Sequence, residues 1–482
     1  MAMVQACWAA FSGCADCMGM VSRVGQLDGN LHWPHSCLGG SISIATVVSW
    51  QSRYVACWLT LLRSLAYQFI LGLPLSNTVL PIMIPTVYLW IVDTLALKRG
   101  TWVISTGTKY GLHLWDGLEI EEALFFLLTN TLIVFGQLAF DNALAILYTF
   151  PKHFPDPAVL PSPITLTEAL LMPTSKYDEV RLTGLQEAVV RLKRKSRSFY
   201  LASSTFQGQL RSDLMLLYSF CRVADDLVDD ASSAEDAQRW IAKLQNFLGI
   251  AFGDAQKSKP SIETYVVDNF PSETQSALLQ LPCSRLSREP LQDLLRGFYM
   301  DLAFNTDPPI QTETDLETYA QRVAGTVAQM CNELIFHIHH SSQSPEDQRR
   351  IIQAGNRMGI ALQYVNIARD IAVDAKIGRI YLPATWLEEF KLTYDSVLKA
   401  PEGADVERLR TRLLDKAFAL YKEAVGAIEE LPHEARGPIR VAVESYMEIG
   451  RVLRQEGYVV KAGRATVPKW RRLRVAWKTL NR

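Results

Sequence analysis

Charged residues are scarce in the first third of this chain. Only 11 of the 109 residues from 42 to 150 are Asp, Glu, Lys or Arg, about half of the 21% found over all 482 residues. A soluble domain carries more charge on its surface, and a stretch this apolar is typical of a membrane region. The sequence therefore predicts that this part of the chain folds within a lipid bilayer.

Three stretches of this region are long and apolar enough to cross a bilayer, which takes about 20 residues. They run from Tyr54 to Leu73, from Thr78 to Leu97 and from Ala123 to Tyr148. The first contains Arg63, so a buried helix of a soluble fold is its alternative. Together they predict an integral, multi-pass membrane protein. The orientation of the spans stays open, because a further segment between Thr101 and Leu118 would change the side on which the rest of the chain lies.

The segments on either side of the membrane region have distinct compositions. Residues 1–50 are rich in Gly, Cys and Ser and lack the basic start and compact apolar run of a signal peptide. We assign them no fold and expect them to be disordered. Six of the 22 prolines lie between Pro151 and Pro173, which helix and strand interiors do not tolerate. A linker is therefore predicted over residues 151–180, and the membrane domain over residues 51–150.

Beyond the linker, apolar residues recur at helical spacing nearly throughout, and no alternating run is long enough for a sheet. Breaks between the helices are predicted at residues 253–262, 269–290, 305–312 and 400–405. The predicted fold class is therefore all-α, with N-terminal transmembrane helices followed by an all-helical domain over residues 181–482.

One apolar helix of this domain ends in a dense acidic cluster. The cluster consists of Asp225, Asp226, Asp229 and Asp230. On a helix Asp225 and Asp229 share one face, and like charges at this spacing repel each other. A solvated helix end is the alternative for one such cluster. Otherwise a cation must compensate the charge.

A second polar stripe favours the cation. It consists of Gln363, Asn366, Asp370 and Asp374, at helical spacings of three, four and four residues. Two helices that each present carboxylates four residues apart could face one another across a cavity. Hard oxygen ligands in that arrangement suit Mg²⁺, with Mn²⁺ as the alternative, and the rest of the metal shell would be water and substrate phosphate. Arg222 and Arg369 accompany the two stripes, and Lys376 and Arg379 follow the second. Metal with arginine is suited to holding a diphosphate.

Five blocks in order resemble the squalene and phytoene synthase family of head-to-head isoprenoid condensing enzymes, over about residues 185–480. They are KSRSFYLAS at 195, YSFCRVADDLVDD at 218, LLRGFYMDL at 294, YAQRVAGTVAQM at 319 and QYVNIARDIAVDAKIGRIYLP at 363. The resemblance implies an isoprenoid synthase-type fold for the second domain. It also implies that the reaction joins two prenyl diphosphates.

The resemblance assigns roles to individual residues. The implied metal and diphosphate ligands are Asp225, Asp229, Asn366, Asp370 and Asp374. The implied substrate contacts are Ser196, Ser198, Tyr218, Arg222, Gln363, Arg369 and Tyr446. The implied catalytic set is the four aspartates with Tyr218 and Arg222. Small residues that let prenyl chains lie against a helix would be Ala324, Gly325 and Ala328. Aromatic faces for a carbocation would be Phe199, Tyr218 and Phe220, with ordinary core packing as the alternative for each.

The implied chemistry is the condensation of two geranylgeranyl diphosphates. Loss of diphosphate from one substrate leaves an allylic cation, and the double bond of the second attacks it to give prephytoene diphosphate. A second ionisation, rearrangement and proton loss give phytoene, in a cavity that must exclude water. Squalene synthase-type condensation of farnesyl diphosphate is the alternative within this chemistry. A catalytically inactive membrane scaffold is the alternative of a different class.

The membrane region from about Ser64 to Leu147 resembles the lycopene cyclase domain of fungal bifunctional carotenoid enzymes. The resemblance lies in the stretches LAYQFILGLP, NTVLPIMIPTVYLWIVDTLALKRGTWVI, HLWDGLEIEEALFFLLTN and LIVFGQLAFDNALA. Cyclisation to β-carotene starts with protonation of a terminal double bond, which needs an acid in an apolar site. The resemblance implies Glu121 and Glu122, with glutamates that merely begin a helix as the alternative. Only the second of that domain's two similar halves is recognisable, so either the sequence lacks its true beginning or cyclase activity is lost.

The C-terminal stretch VPKWRRLRVAWKTLNR is amphipathic as a helix. It places Trp470, Leu473, Trp477 and Leu480 on one face, with basic residues mostly around them. This pattern indicates either a helix at a membrane surface or one docked on the helical domain. The expected partners are geranylgeranyl diphosphate, lycopene for the second activity, and membrane lipid. The net charge of −1 gives no reason to expect nucleic acid.

Overall fold

The computed structural model describes residues 70–101, 111–155, 157, 160–253, 259–304, 309–339, 343–455, 458 and 467–481. These residues form two compact units, divided between Tyr177 and Asp178. The predictions for residues 1–50, for most of the first apolar stretch and for residues 102–110 lie outside the described residues.

The first unit is built around two long apolar helices. Its elements are α1, Leu75–Lys98; β1, His113–Trp115; β2, Leu118–Glu119; α2, Ile120–Thr149; and α3, Pro163–Leu171. The indole N–H of Trp90 donates to the Ala123 carbonyl at 2.9 Å, and the Asn130 side chain donates to Thr86 Oγ1 at 2.9 Å. Because later residues of α2 meet earlier residues of α1, the two helices run antiparallel.

Both α1 and α2 are long and apolar enough to cross a membrane. They coincide with the second and third predicted spans. Large apolar side chains are exposed along both helices, including Leu75, Tyr88 and Phe125, which are 79%, 65% and 60% exposed. A core helix of a soluble protein would bury such side chains, so their exposure fits apolar surroundings.

Part of the predicted linker is helical and packed. Pro163 lies in the first turn of α3, where its missing N–H removes no helical hydrogen bond. The Ser162 hydroxyl caps this turn by accepting from the Thr165 N–H at 3.2 Å. Ala169 of α3 joins the buried cluster around Leu147 of α2. The proline content therefore set where α3 begins and did not prevent a helix.

The described residues of the second unit form helices and connecting loops and no strand, as the periodicity predicted. Its α-helices are α4, Glu179–Lys195; α5, Arg197–Ser203; α6, Gly208–Asp229; α7, Ala234–Ala251; α8, Lys259–Asn269; α9, Ser272–Leu279; α10, Arg288–Ala303; α11, Glu313–Ala320; α12, Thr326–Ile338; α13, Pro345–Asp374; α14, Ala384–Glu389; α15, Tyr394–Lys399; α16, Ala404–Ala424; α17, His433–Leu453; and α18, Lys469–Leu480. A π-helical turn, Gln321–Gly325, joins α11 to α12. The predicted break at residues 269–290 was wrong in part, because Ser272–Leu279 is helical.

Helix α13 is the central element of this unit and packs against α12, α16 and α17. Pro345 occupies its first turn, and the Ser344 hydroxyl accepts from the Asp347 N–H at 3.1 Å, which fixes where it begins. A Cβ on Gly359 would lie 2.6 Å from the Ala324 carbonyl oxygen. Glycine at this position therefore lets α13 approach the π-helical turn closely.

Candidate active site

The two acidic stripes lie at the C-terminal ends of their helices. Asp225 and Asp229 occupy the last turns of α6, and Asp370 and Asp374 occupy the last turns of α13. The C-terminal end of a helix carries partial negative charge, so carboxylates there are destabilising without a cation. The C-terminal ends of α6 and α13 therefore need positive charge close to their carboxylates.

Basic side chains supply part of this positive charge. Arg222 Nη1 donates to Asp225 at 2.7 Å, and its other terminal nitrogen contacts Asp226. Lys195 Nζ also lies 3.0 Å from Asp226. On α13, Arg369 Nε donates to the adjacent Asp370 carboxylate at 2.9 Å. Each stripe is thus paired with the arginine that the sequence placed beside it.

A third arginine connects the two stripes. Arg379 follows α13, and its Nη2 lies 3.0 Å from Asp229 Oδ1 of α6. The ends of α6 and α13 therefore converge on one region, as the two-helix prediction required. Arg379 was predicted only as a basic residue that follows the second stripe, and its contact with α6 was not predicted, because no helical spacing relates it to the aspartates of α6.

A buried aspartate of α10 lies between the stripes. Asp301 interacts electrostatically with Asp225 of α6 and Asp374 of α13. Its carboxylate accepts hydrogen bonds from Tyr381 at 2.8 Å and from Tyr319 at 3.4 Å. Burial raises the pKa of Asp301 to about 6, although Arg379 opposes this shift.

Asp301 and its tyrosines were missed by the sequence analysis, although Asp301 lies within the LLRGFYMDL block. A signal was present, since Asp301 continues a helical stripe through the buried residues Leu294 and Phe298. A carboxylate on an otherwise apolar face rarely remains without a function or a partner.

The pKa shifts show how much negative charge is concentrated here. Burial and the neighbouring Asp229 raise the pKa of Asp225 to about 7. Burial and the neighbouring Asp370 raise the pKa of Asp374 to about 7 as well. Both carboxyls thus hold protons more tightly than usual, and a divalent cation could take the place of those protons.

The donor set fits a hard divalent ion, because its members are carboxylate oxygens with the amide oxygen of Asn366 nearby. In the part of the chain that the structure describes, no three His, Cys, Asp or Glu side chains come close enough to form a metal site by themselves. Mg²⁺ in proteins usually takes part of its shell from water and substrate phosphates.

A large cavity of about 1040 Å³ adjoins the stripes. Most of its wall is apolar, with side chains from α6, α10, α12, α13 and α17. The predicted site residues that line it are Ser196, Ser198, Tyr218, Arg222, Asp225, Ala324, Gln363, Asn366, Arg369 and Tyr446. Phe199 and Ala328 line it too. The sequence therefore assigned residues from five helices and the π-helical turn to a single cavity wall.

Several predicted site residues do not line the cavity. Asp229, Asp370 and Asp374 are absent from its wall and belong to the charged cluster just described. Gly325 is buried where the π-helical turn meets Gly359, so its small size serves helix contact. Phe220 is 1% exposed and packs against Phe247, so core packing, the stated alternative, accounts for it.

Polar and aromatic contacts fix the wall near Asn366. The Tyr446 hydroxyl of α17 donates to Asn366 Oδ1, and the Asn366 amide donates to Gln363 Oε1 at 3.2 Å. The Tyr446 ring stacks on Phe199 with centroids 5.1 Å apart. The Ser196 hydroxyl accepts from the Phe199 N–H at 3.4 Å and so caps α5. Burial raises the pKa of Tyr218 to about 12, so its phenol stays protonated.

The first unit has its own carboxylate cluster. Glu121 and Glu122 lie in the first turn of α2. Asp93 of α1 is 3% exposed and interacts electrostatically with Glu122. Glu119 is also buried and lies 3.4 Å from His113 Nε2. Asp93 had no predicted role, although it is the one charged residue between positions 63 and 98 of the sequence.

Comparison with known proteins agrees with these observations. The squalene/phytoene synthase family model matches residues 192–471. A bifunctional lycopene cyclase/phytoene synthase of Phaeosphaeria nodorum is 63% identical over 95% of this chain and 81% of its own length. A protein of the same name from Leptosphaeria maculans is 68% identical over 88% of this chain and 73% of its own length.

Among solved structures, a dehydrosqualene synthase matches with a TM-score of 0.50 and 23% identity, over 63% of this chain and 97% of its own. This match concerns the fold alone, and it identifies the helical unit as an isoprenoid synthase-type fold. The order of the five sequence blocks, the fold and the extent of the family match lead to one conclusion: the chain belongs to the squalene/phytoene synthase family.

Proposed function

We propose that this chain joins two molecules of geranylgeranyl diphosphate into phytoene by way of prephytoene diphosphate, and that it also cyclises lycopene ends to give β-carotene. The observation that carries the synthase proposal is the apolar cavity beside the convergent acidic ends of α6 and α13. Its volume lies at the upper end of the roughly 300–1,000 Å³ typical of small-molecule sites. The names and high identity of the bifunctional relatives support both activities.

The acidic cluster is the proposed metal and diphosphate site. Mg²⁺, or Mn²⁺ in its place, would neutralise the diphosphate and assist its departure when bound. Its proposed ligands are Asp225, Asp229, Asn366, Asp370 and Asp374. Every one of these side chains offers an oxygen, and burial together with a neighbouring carboxylate raises the pKa of Asp225 and of Asp374.

The arginines are the proposed diphosphate contacts. Arg222 and Arg369 line the cavity while they pair with the aspartates of their own helices. When a cation binds those aspartates, the guanidinium groups become available to the diphosphate oxygens. A fork of N–H donors suits phosphate oxygens and stabilises negative charge as it develops on the leaving group.

The wall of the cavity protects the cationic intermediates. Apolar side chains exclude water, which would otherwise capture an allylic cation. The rings of Phe199 and Tyr218 present π-faces there, with centroids 6.3 Å apart. The hydrogen bond from Tyr446 to Asn366 keeps α17 against α13 and so holds the wall in place. Ser196 and Ser198 are proposed substrate contacts at the same wall.

For the cyclase activity we assign the acid to Glu122, with Glu121 beside it. Asp93 and Glu121 are the charged neighbours that act on Glu122. A carboxyl that keeps its proton in apolar surroundings can deliver that proton to a terminal double bond of lycopene. We further propose that α1 and α2 cross the bilayer, which would make the chain an integral, multi-pass membrane protein in contact with lipid.

Two bacterial strains test these proposals separately. In a strain that supplies geranylgeranyl diphosphate, the expressed chain should yield phytoene, and the Asp229→Asn variant should not. In a strain that accumulates lycopene, the chain should yield β-carotene, and the Glu122→Gln variant should not. Protein that is present in the membrane fraction but forms no phytoene, and releases no diphosphate after purification with Mg²⁺, would refute the synthase proposal.

A further inference from the structure

The C-terminal helix α18 is docked on the synthase unit by one of its faces. Ala476 is buried in a cluster with Ala202 of α5 and Val441 of α17. The Thr479 carbonyl accepts from Arg440 at 3.2 Å. Helix α18 therefore docks through this face and not through its tryptophan and leucine face, whose docking was one of the two predictions from the sequence pattern.

A second face of α18 presents large apolar side chains outward. Trp470, Leu473, Trp477 and Leu480 are 63%, 58%, 51% and 39% exposed. They follow one another at spacings of three, four and three residues, so they form one continuous stripe along the helix. We call this stripe the outer face of α18. Four large apolar residues side by side on a surface indicate a binding partner.

The charges beside the outer face indicate what that partner is. Helix α18 contains no Asp or Glu, and Arg474 and Lys478 are exposed along one edge of the stripe. Tryptophan is enriched where a protein meets the headgroup region of a bilayer, and basic residues are attracted to anionic headgroups. A protein partner with an acidic surface is the alternative, and the experiments below separate it from a bilayer.

The same segment also touches the cavity. Val467, Pro468 and Arg472 line the cavity wall, and Arg472 has Arg197 as a charged neighbour. The outer face therefore lies about one helix diameter, roughly 10 Å, from the space assigned to prenyl chains. A bilayer on the outer face would bring that space to the membrane surface.

We propose that the outer face of α18 binds the headgroup region of an anionic lipid bilayer. Its tryptophans and leucines enter the interface, and Arg474 and Lys478 contact anionic headgroups. This contact keeps one wall of the cavity at the membrane, where a geranylgeranyl chain enters and a hydrocarbon product leaves. The lipid contact itself does not depend on the proposed function, whereas its value for substrate transfer does.

The first experiment reads the two tryptophans directly in the full chain. Helices α1 and α2 would carry any variant to a membrane, so vesicle binding is not the readout. The chain is placed in phosphatidylcholine/phosphatidylglycerol vesicles that contain lipids brominated at shallow or deep acyl positions. The part of the fluorescence that is lost in the Trp470→Phe/Trp477→Phe variant comes from these two tryptophans. In the unsubstituted chain this part should be quenched, and more strongly by shallow than by deep bromines. Fluorescence that neither kind of bromine quenches would overturn the proposal. This result is expected if a second copy of the chain or another segment covers the outer face.

The second experiment tests the charges. Arg474→Glu/Lys478→Glu should reduce that quenching and lower turnover of geranylgeranyl diphosphate in the anionic vesicles about tenfold, as expected for reversing two basic residues near such a surface. Turnover in detergent micelles should not change. The matched control, Arg349→Glu/Lys422→Glu, reverses two exposed basic residues on α13 and α16. An equal loss in vesicles and micelles, or an equal loss in the control, contradicts the lipid contact. If no variant makes phytoene, the proposed function fails and the quenching result still decides this proposal.

Discussion

Arg379 Nη2 lies 3.0 Å from Asp229 Oδ1, so a residue that follows α13 forms an ion pair with the last turn of α6. The Arg379 side chain is only 19% exposed, which shields the pair from water more than an ordinary surface pair. This contact sets how the two acidic helix ends face each other, and the first prediction follows from it.

Arg379→Gln should lower phytoene formation about 10- to 100-fold, the range typical of residues that orient metal ligands. The apparent Mg²⁺ affinity should change as well, because Asp229 loses the partner that positions it. Initial rates measured over a range of Mg²⁺ concentrations check this. The control is Arg408→Gln, which removes an exposed arginine paired with Asp405. A rate loss with an unaltered Mg²⁺ dependence would contradict a role through Asp229.

Asp229→Asn and Asp370→Asn should each lower condensation by about 100-fold or more, because each variant lacks a proposed metal ligand. Loss of a residue that only supports a metal ligand already lowers metal affinity or activity by about 10- to 100-fold. The fold should stay intact, since both side chains lie in the last turns of their helices. Diphosphate release from the purified variants measures the effect, and circular dichroism checks helix content. Full activity in either variant would refute the site assignment.

Asp301→Asn should lower activity. Its stability relative to the wild type should increase as the pH rises. The folded pKa of Asp301 is raised to about 6, above the 3.8 of an ordinary aspartate, so its carboxylate becomes destabilising as the pH passes from about 4 to 6. The amide of the variant does not ionise in this pH range. Its free energy of unfolding relative to wild type should therefore improve by about 1–3 kcal/mol between pH 4 and pH 7.

Unfolding in detergent with EDTA at several pH values measures the difference for Asp301→Asn. Asp293→Asn is the control, because Asp293 lies on the same helix but is exposed and paired with Arg296. A stability difference that stays constant over this pH range would contradict the raised pKa of Asp301.

Ala328→Phe should shift substrate preference toward shorter prenyl chains. Ala328 lines the cavity, so a ring at this position takes space from the prenyl tail. Condensation of geranylgeranyl diphosphate should fall at least about tenfold relative to that of farnesyl diphosphate, since small volume changes in apolar pockets discriminate about 10- to 200-fold. Competition between the two substrates measures the ratio. Ala404→Phe, on an exposed position of α16, should leave the ratio unchanged.

Glu122→Gln should abolish β-carotene formation from lycopene and leave phytoene formation unchanged, because an amide has no proton to give to the double bond. Pigment extraction from lycopene-producing cells checks the first part, and phytoene from geranylgeranyl diphosphate checks the second. Asp116→Asn is the control, since its side chain is 94% exposed in the turn between β1 and β2. Formation of β-carotene by the Glu122→Gln variant would mean that another carboxyl is the catalytic acid.

The helices were the most predictable part of the fold. Apolar residues at helical spacing predicted the second unit, and the charge-poor runs predicted α1 and α2. Helix α3 was not expected, because six nearby prolines outweighed the fact that Pro163 stands in a first turn. Composition describes a whole segment, whereas the effect of a proline depends on its position within a helix.

The candidate site was predictable where its residues share one helix. Spacing alone grouped Asp225 with Asp229 and Asp370 with Asp374. Spacing marks Asp301 only as a polar residue on an apolar stripe of α10, and its place in the cluster comes from the packing of α10 against other helices. The family resemblance assigned Gly325 to the substrate wall, whereas its small size allows a close approach to Gly359. Contacts between helices depend on tertiary geometry that one helical period does not encode.

The three arginines that pair with the acidic helix ends have a consequence for the protein before its ion and substrate bind. Because Arg222, Arg369 and Arg379 already pair with Asp225, Asp370 and Asp229, part of the negative charge at the two helix ends is compensated by the protein itself. Under the proposed function, a bound ion would replace the arginines at the carboxylates and leave their guanidinium groups free for the diphosphate of the substrate. The folded chain would then remain inactive until both the ion and the substrate bind.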